Sequence, residues 1–482
     1  MQIINRQAED FLYQQVIELI HKNRKEGAIR PGDKLPSLRK LSQQLNISVP
    51  TVKQAYIELE RQGIVSARPQ SGYYLKPASL RPLKPLAKRR QSNSPVELEC
   101  RDVIQTVHNA IHTPGVVPLG ISNPVMAHPP DKTLARAMRR VLTRMADKTV
   151  SYGPIDGDPK LRQQIATRYQ EMGVDTQGQD VLITNGTQEA LTIALQCVAK
   201  AGDTIAVESP TFFGILELIE TLGMKALEIC TCVDEGVCLE ELQDALNKHN
   251  IKACMFSTAI NNPLGSFMPD DKRQKLVAML EEADVPLIED DVYGDLYFTE
   301  QRGKPARFFA KTDNIISCSS FSKTAAPGYR IGWLLAGKWQ AQAHRIKRAM
   351  SCSTNMITQW TMSDYMATGE YDRHITQLRK ILLRNRDRML ALVTDHFPDK
   401  CRVSQPKGGS VLWIKCPASV NTFELLDIAM QHNIAFTPGR IFDASGKYDQ
   451  FMRLSFGVPW SEELENGVIR LGHLVAQCCD KT

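Results

Sequence analysis

Apolar residues near the start of the chain recur with helical spacing. Leu12, Val16, Leu19 and Ile20 make one stripe and predict a first helix, ended by Gly27. In LPSLRKLSQQLNIS, Ser37 stands at an N-cap before Leu38, Leu41 and Leu45, predicting a second helix. Ser48 caps a third, with Val52, Ala55, Tyr56 and Leu59 at i, i+3, i+4 and i+7 and Gly63 as its stop. Only a few residues separate the second and third helices, as a helix-turn-helix requires. After Gly63, IVSARPQSGYYL reads strand, turn over Pro69–Gly72, strand: a β-hairpin wing.

From about residue 110 the pattern changes. Short β-branched runs alternate with amphipathic segments: VLITNG then TQEALTIALQCV, DTIAVESP then FFGILELIETL, and later KACMFSTA, PLIEDDVY and NIISCSSFS. This predicts an α/β domain around a largely parallel sheet, with ligands at the carboxyl ends of its strands. Between the two patterns, residues 76–95 (KPASLRPLKPLAKRRQSNSP) carry four prolines, six basic residues, no acid and no periodicity. They read as a solvated linker. The expected division is a head over 1–75, this linker, and a body over 96–482.

Charge follows the same division. Residues 1–90 hold 17 Lys and Arg against 7 Asp and Glu, whereas the rest hold 42 against 46. A basic head on a slightly acidic body suits contact with a polyanion, although a solvated basic surface has the same composition. No apolar signal segment and no run of about 18 apolar residues is present, so a cytoplasmic protein is expected. The 12 cysteines form no CxxC pair and no Cys/His cluster of zinc spacing, so reduced thiols and no metal are expected.

In the head, the polar residues free of the third helix's stripe are Thr51, Lys53 and Gln54, with Pro50 beside them. The start of a recognition helix meets base edges in the major groove. Ser37 and Arg39 on the preceding helix, and Arg68, Gln70 and Ser71 in the wing, are placed to hold phosphates.

In the body, Lys323 in SCSSFSKTAAPGYRIGW follows a strand end and is flanked by Ser320, Ser322 and Arg330. A buried lysine reacts with carbonyls, and the hydroxyls and guanidinium suit a phosphate dianion. Gly186, Thr187 and Gln188 lie where a strand turns into a helix, which reads equally as an anion site or a simple capped helix. In IEDDVYGDLYF, one carboxylate paired to a pyridinium nitrogen would justify its burial. Asp290 is the candidate, with Tyr293 in reach of the ring oxygen; the other acids are expected in water.

The string PGDKLPSLRKLSQQLNISVPTVKQAYIELERQGIVSARPQSGYYL resembles the GntR-type winged helix. Over roughly 110–480, the ordered segments SYGPIDGDPKLRQQIA, TNGTQEA, ESPTFFG, INNPLG, EDDVYGDLY, SSFSKTAAPGYRIGW and FMRLSFG resemble fold-type I pyridoxal-phosphate aminotransferases. Head, linker and body together resemble the MocR branch of GntR regulators. The resemblance implies a fold-type I body with a small C-terminal subdomain and pyridoxal 5'-phosphate as cofactor, with Lys323 as its covalent anchor and Asp290 on the ring nitrogen. It places Asn262 and Tyr293 on the ring oxygen and Phe212, where Tyr is commoner, on the ring face. Gly186, Thr187, Ser320, Ser322 and Arg330 would hold phosphate, and Arg453 a substrate carboxylate. Tyr152 would reach the phosphate of a neighbouring subunit, implying a homodimer. The expected function is a transcription regulator that binds operator DNA and senses a small amino compound or the vitamer itself. The alternative is a working aminotransferase with a DNA-binding appendage.

Overall fold

The computed structural model describes residues 11–25, 28–29, 31–68, 72–76, 82–83, 94–97 and 102–480. In the head, α1 (Leu12–Lys25), α2 (Leu38–Leu45) and α3 (Val49–Arg61) precede an antiparallel pair, β1 (Val65–Arg68) and β2 (Gly72–Leu75). All four residues of the stripe predicted for α3 are buried. They close on Val16, Ile17, Ile20, Leu35, Leu41, Val65 and Leu75. In α1 the stripe is set differently from expectation: Ile17 is buried and Leu19 only half-buried. Tyr56 is fully buried, and its hydroxyl donates to the Pro36 carbonyl at 2.9 Å, tying α3 to the entry of α2. Gly27 and the hairpin tip lie outside the described residues.

The body is built on a nine-stranded sheet among the described residues. Eight strands form its path: β3 (Val96–Glu97), β4 (Val181–Thr184), β5 (Thr204–Ser209), β6 (Lys225–Cys232), β7 (Ile251–Phe256), β8 (Leu287–Asp290), β9 (Ile315–Ser320) and β10 (Gly332–Leu335). Their spatial order is β3-β6-β5-β7-β8-β9-β10-β4. The run from β6 to β9 is parallel, whereas β10 is antiparallel to both neighbours. Apolar clusters cover both faces, as buried parallel strands require. Helices that position the site include α4 (Asp102–Ile111), α5 (Thr187–Val198), α6 (Phe213–Thr221) and α7 (Glu370–His396). A smaller antiparallel sheet follows, ordered β11 (Arg402–Val403), β12 (Val411–Lys415), β14 (Phe451–Ser455), β13 (Thr437–Pro438).

Within the linker, Leu83 departs from expectation. It is buried in the large core cluster, and its N–H donates to the Val403 carbonyl at 2.9 Å. The linker is therefore held to the body at Leu83. The head also touches α7: Arg388 pairs with Asp33 at 2.6 Å. Gly32 beside it has φ +83°, and a Cβ there would lie 2.7 Å from the Arg384 carbonyl oxygen.

Candidate functional site

Ser37 and Ser48 both act as N-caps, accepting from the Lys40 and Thr51 backbone N–H groups at 3.3 Å. Arg39, Pro50, Lys53 and Gln54 are exposed on the head surface. Thr51 is half-buried, and its hydroxyl shares a 2.7 Å hydrogen bond with the Ser48 hydroxyl. Part of its polar capacity is thus committed to the cap. Gln70, Ser71 and the Arg68 side chain lie outside the described residues.

In the body, the carboxyl ends of β4, β5, β7, β8 and β9 open on one cavity of about 330 Å³, and antiparallel β10 begins there. That reversal brings Arg330 to the same end as Lys323. Lys323 lies 5.7 Å over the Tyr293 ring, and its Nζ donates to the Ser122 carbonyl at 2.6 Å. Tyr293 and Ser122 share a hydrogen bond through their hydroxyls. Asp290 is buried at the end of β8, where its carboxylate accepts from the Val292 N–H at 3.1 Å. Burial pushes its pKa up to about 6, opposed by that bond and by nearby Lys323. Behind it, Glu208 at the end of β5 is raised further, to about 8, chiefly by burial.

The anion cradle lies at the start of α5. Gly186 has φ +83°, and a Cβ there would fall 2.2 Å from Arg330 Nη2, so only glycine lets the guanidinium this close. Arg330 donates to the Asn185 carbonyl at 2.9 Å and makes weak 3.5 Å contact with the Ser322 hydroxyl. Thr187 Oγ1 is buried without a partner. An oxyanion at the helix N-terminus would meet that hydroxyl, free N–H groups and the guanidinium together. Gln188 is at this turn, but its side chain donates to the Gly214 carbonyl at 2.9 Å and leaves only its backbone to the cradle.

Arg453, at the middle of β14, is buried and aimed into the same cavity. It donates to Asn262 Oδ1 at 3.0 Å, the Gly120 carbonyl at 2.7 Å and Thr437 Oγ1 at 3.2 Å. All three are neutral acceptors, and Nε has none. Among the described residues no carboxylate pairs with it. Burial lowers its pKa to about 10. A buried cation without a counter-charge is costly, and an anion entering the cavity would supply one.

The remaining acids of the β8 segment are not in water. Glu289 is fully buried and accepts from the Ala306 N–H at 2.9 Å, while Asp291 pairs with Arg302. Their burial is offset by dedicated partners, which the sequence pattern did not reveal. Phe212, Asn262, Ser320 and Ser322 line the cavity, whereas Tyr152 is 92% exposed and lies apart from it in this chain. Gly120, Ser122 and Thr437 were not anticipated. Gly120 acts through its backbone carbonyl, and so does Ser122 toward Lys323, which carries no residue-type signal; the Ser122 hydroxyl meets only Tyr293 among these groups. The described residues hold no metal-binding cluster and no helix long and apolar enough to cross a membrane.

Both regions of the chain match known protein families. Residues 114–471 match the aminotransferase class I and II family, and residues 12–75 match the bacterial regulatory proteins of the gntR family. The uncharacterized HTH-type transcriptional regulators YdcR and YjiR of Escherichia coli (strain K12) are 35% and 33% identical to the chain. Each match covers 96% of this chain, and 99% and 98% of those proteins respectively. Among solved structures, LysN, an alpha-aminoadipate aminotransferase from Thermus thermophilus complexed with N-(5'-phosphopyridoxyl)-L-leucine, is similar with a TM-score of 0.74 at 25% identity. That likeness covers 80% of this chain and 97% of the other. The chain therefore belongs to the MocR type of GntR regulators, DNA-binding transcriptional regulators whose body has the aminotransferase fold.

Proposed function

We propose that this regulator binds pyridoxal 5'-phosphate and uses it to sense a small amino-carboxylate, or the vitamer itself, changing its affinity for operator DNA. The observation that carries the proposal is Arg453: a buried cation with only neutral acceptors, lining the same cavity as Lys323. Lys323 would anchor the cofactor, Asp290 hold the ring nitrogen, Asn262 and Tyr293 the ring oxygen, and Phe212 the ring face. Gly186, Thr187, Ser320, Ser322, Arg330 and the Gln188 backbone would hold the phosphate. When bound, the cofactor supplies an electrophilic carbon to a primary amine. Arg453 then fixes the carboxylate, so an effector carrying both groups is gripped at two points.

In the head, Pro50, Thr51, Lys53 and Gln54 would read bases, and Ser37, Arg39, Arg68, Gln70 and Ser71 would hold phosphates. The head over 1–75 and the body over 96–482 would act as separate units joined by the basic linker. Exposed Tyr152 and Val150, each 92% accessible, support a homodimer in which Tyr152 serves the partner's phosphate site. Dimeric heads would bind two half-sites with the avidity of tethering.

Regulation requires that the ligand prefer one head arrangement; tight binding alone shifts nothing. The test is titration of operator DNA against the full-length protein, with and without cofactor, over a panel of amino acids. We expect an amino acid to change affinity only when cofactor is present, and Arg453→Ala to remove that response while sparing cofactor binding. If cofactor alone moves the affinity, the vitamer is the signal; if neither does, the proposal fails. The joint presence of Lys323, Asp290 and Arg453 favours a second reading, aminotransferase turnover, which a keto-acid product assay decides.

A further inference from the structure

We propose that the effector is a monocarboxylic amino acid with an apolar side chain, and that α4, the first helix after the linker, is the wall that selects it. This rests on the reading that the cavity takes an amino-carboxylate. The charged residues lining the cavity are Asp290, Lys323, Arg330 and Arg453. The first three face the cofactor's groups and the fourth an α-carboxylate, so each already has a task. The wall that remains is mostly apolar, made by Ile104 and Val107 from α4 with Leu191, Phe213 and Ile441, and carries the His108 and His112 rings at its rim. Among the described lining residues, none of this part is a carboxylate, lysine or arginine.

A second carboxylate or an ammonium on the effector would leave water here without gaining an opposite charge, which is unfavourable. An apolar side chain instead removes its own surface and that of the wall from water. At the outer end of α4, His108 and His112 stand one turn apart with ring centroids 4.5 Å from each other. Glu217, on α6, lies within electrostatic range of His108. The position of α4 in the chain adds a consequence. The helix begins at Asp102, just past β3, which is hydrogen-bonded to β6 at the sheet edge. A side chain pressing on α4 therefore acts on the cavity element nearest the linker.

The experiment uses full-length protein loaded with pyridoxal phosphate, followed by calorimetry and by absorbance of the bound cofactor. The probes are L-leucine, L-methionine, L-phenylalanine, L-aspartate, L-glutamate and L-lysine. We expect the three apolar amino acids to bind at least about tenfold more tightly than the three charged ones. Ile104→Arg places a cation on the wall and should invert the order, with glutamate binding more tightly than leucine. His112→Arg, at an exposed position, should shift the preference the same way without disturbing the core. A wild-type preference for aspartate, glutamate or lysine overturns the inference but leaves the amino-carboxylate reading standing. A preference unchanged in both variants overturns the role of α4. If no amino acid of any class binds, the underlying reading fails and this inference with it.

Discussion

In the head, Arg39, Pro50, Lys53 and Gln54 are exposed, and the buried set is a single cluster without a formal charge. In the body, Glu208, Asp290 and Arg453 are 1%, 7% and 3% exposed and meet in or behind one cavity. The head can thus gain or lose affinity through surface charge, at little cost to its own folding. The body holds ionisable groups in an environment that disfavours their charged forms, which costs stability. The candidate contacts of the head lie on its surface; those of the body line a cavity.

The largest effect that would break this contrast concerns Lys323. Borohydride treatment of the loaded protein should fix the cofactor to the peptide containing Lys323, and Lys323→Ala should abolish the linkage entirely. A modified peptide elsewhere, seen by mass spectrometry, removes the anchor from this account.

Next comes Glu208. Its folded pKa, about 8, lies above its ordinary value of 4.5, so its contribution is favourable below pH 4.5 and is lost as pH rises to 8. Glu208→Gln should therefore stabilise the protein at pH 9, by up to about 5 kcal/mol, and change little at pH 4.5. Thermal unfolding at the two pH values measures the difference. An equal shift at both means that burial of its charge is not what matters.

Arg453→Met removes an unpaired buried cation while keeping volume. Without ligand it should raise stability by about 1–2 kcal/mol, and it should eliminate any stabilisation by amino acids. A loss of stability in denaturant titrations would mean that its neutral acceptors already compensate the charge.

In the head, Ser48→Ala should cost about 1 kcal/mol through loss of the α3 cap. It should also release Thr51, so operator affinity measured beside stability separates the cap from base contact. Arg388→Ala breaks the half-buried contact between head and α7 and should change unfolding stability by no more than about 0.5 kcal/mol.

How much was readable without coordinates follows the same contrast. The stripe of α3 and the caps at Ser37 and Ser48 are local, so spacing alone located them. Lys323, Asp290 and Arg330 were singled out because strand ends collect ligands in parallel sheets, and the structure brings all three to one cavity. What escaped was non-local. Asp291 and Glu289 look like Asp290 in sequence, and partners from other segments distinguish them: Arg302 for Asp291, and the Thr258 and Ser317 hydroxyls with the Ala306 N–H for Glu289. Leu83 sits in a proline-rich basic run whose lack of periodicity hid its contact with Val403. The cavity wall on α4 has ordinary helical spacing, and nothing in it announces a ligand.

The most direct test of the central claim, that body and head are coupled, is reciprocal. Binding of the best amino acid to the cofactor-loaded protein is measured by calorimetry, first free and then saturated with operator DNA. Linkage requires the two Kd values to differ by the same factor by which the amino acid changes operator affinity, expected at about 5–150-fold. Identical Kd values with and without DNA would contradict the account.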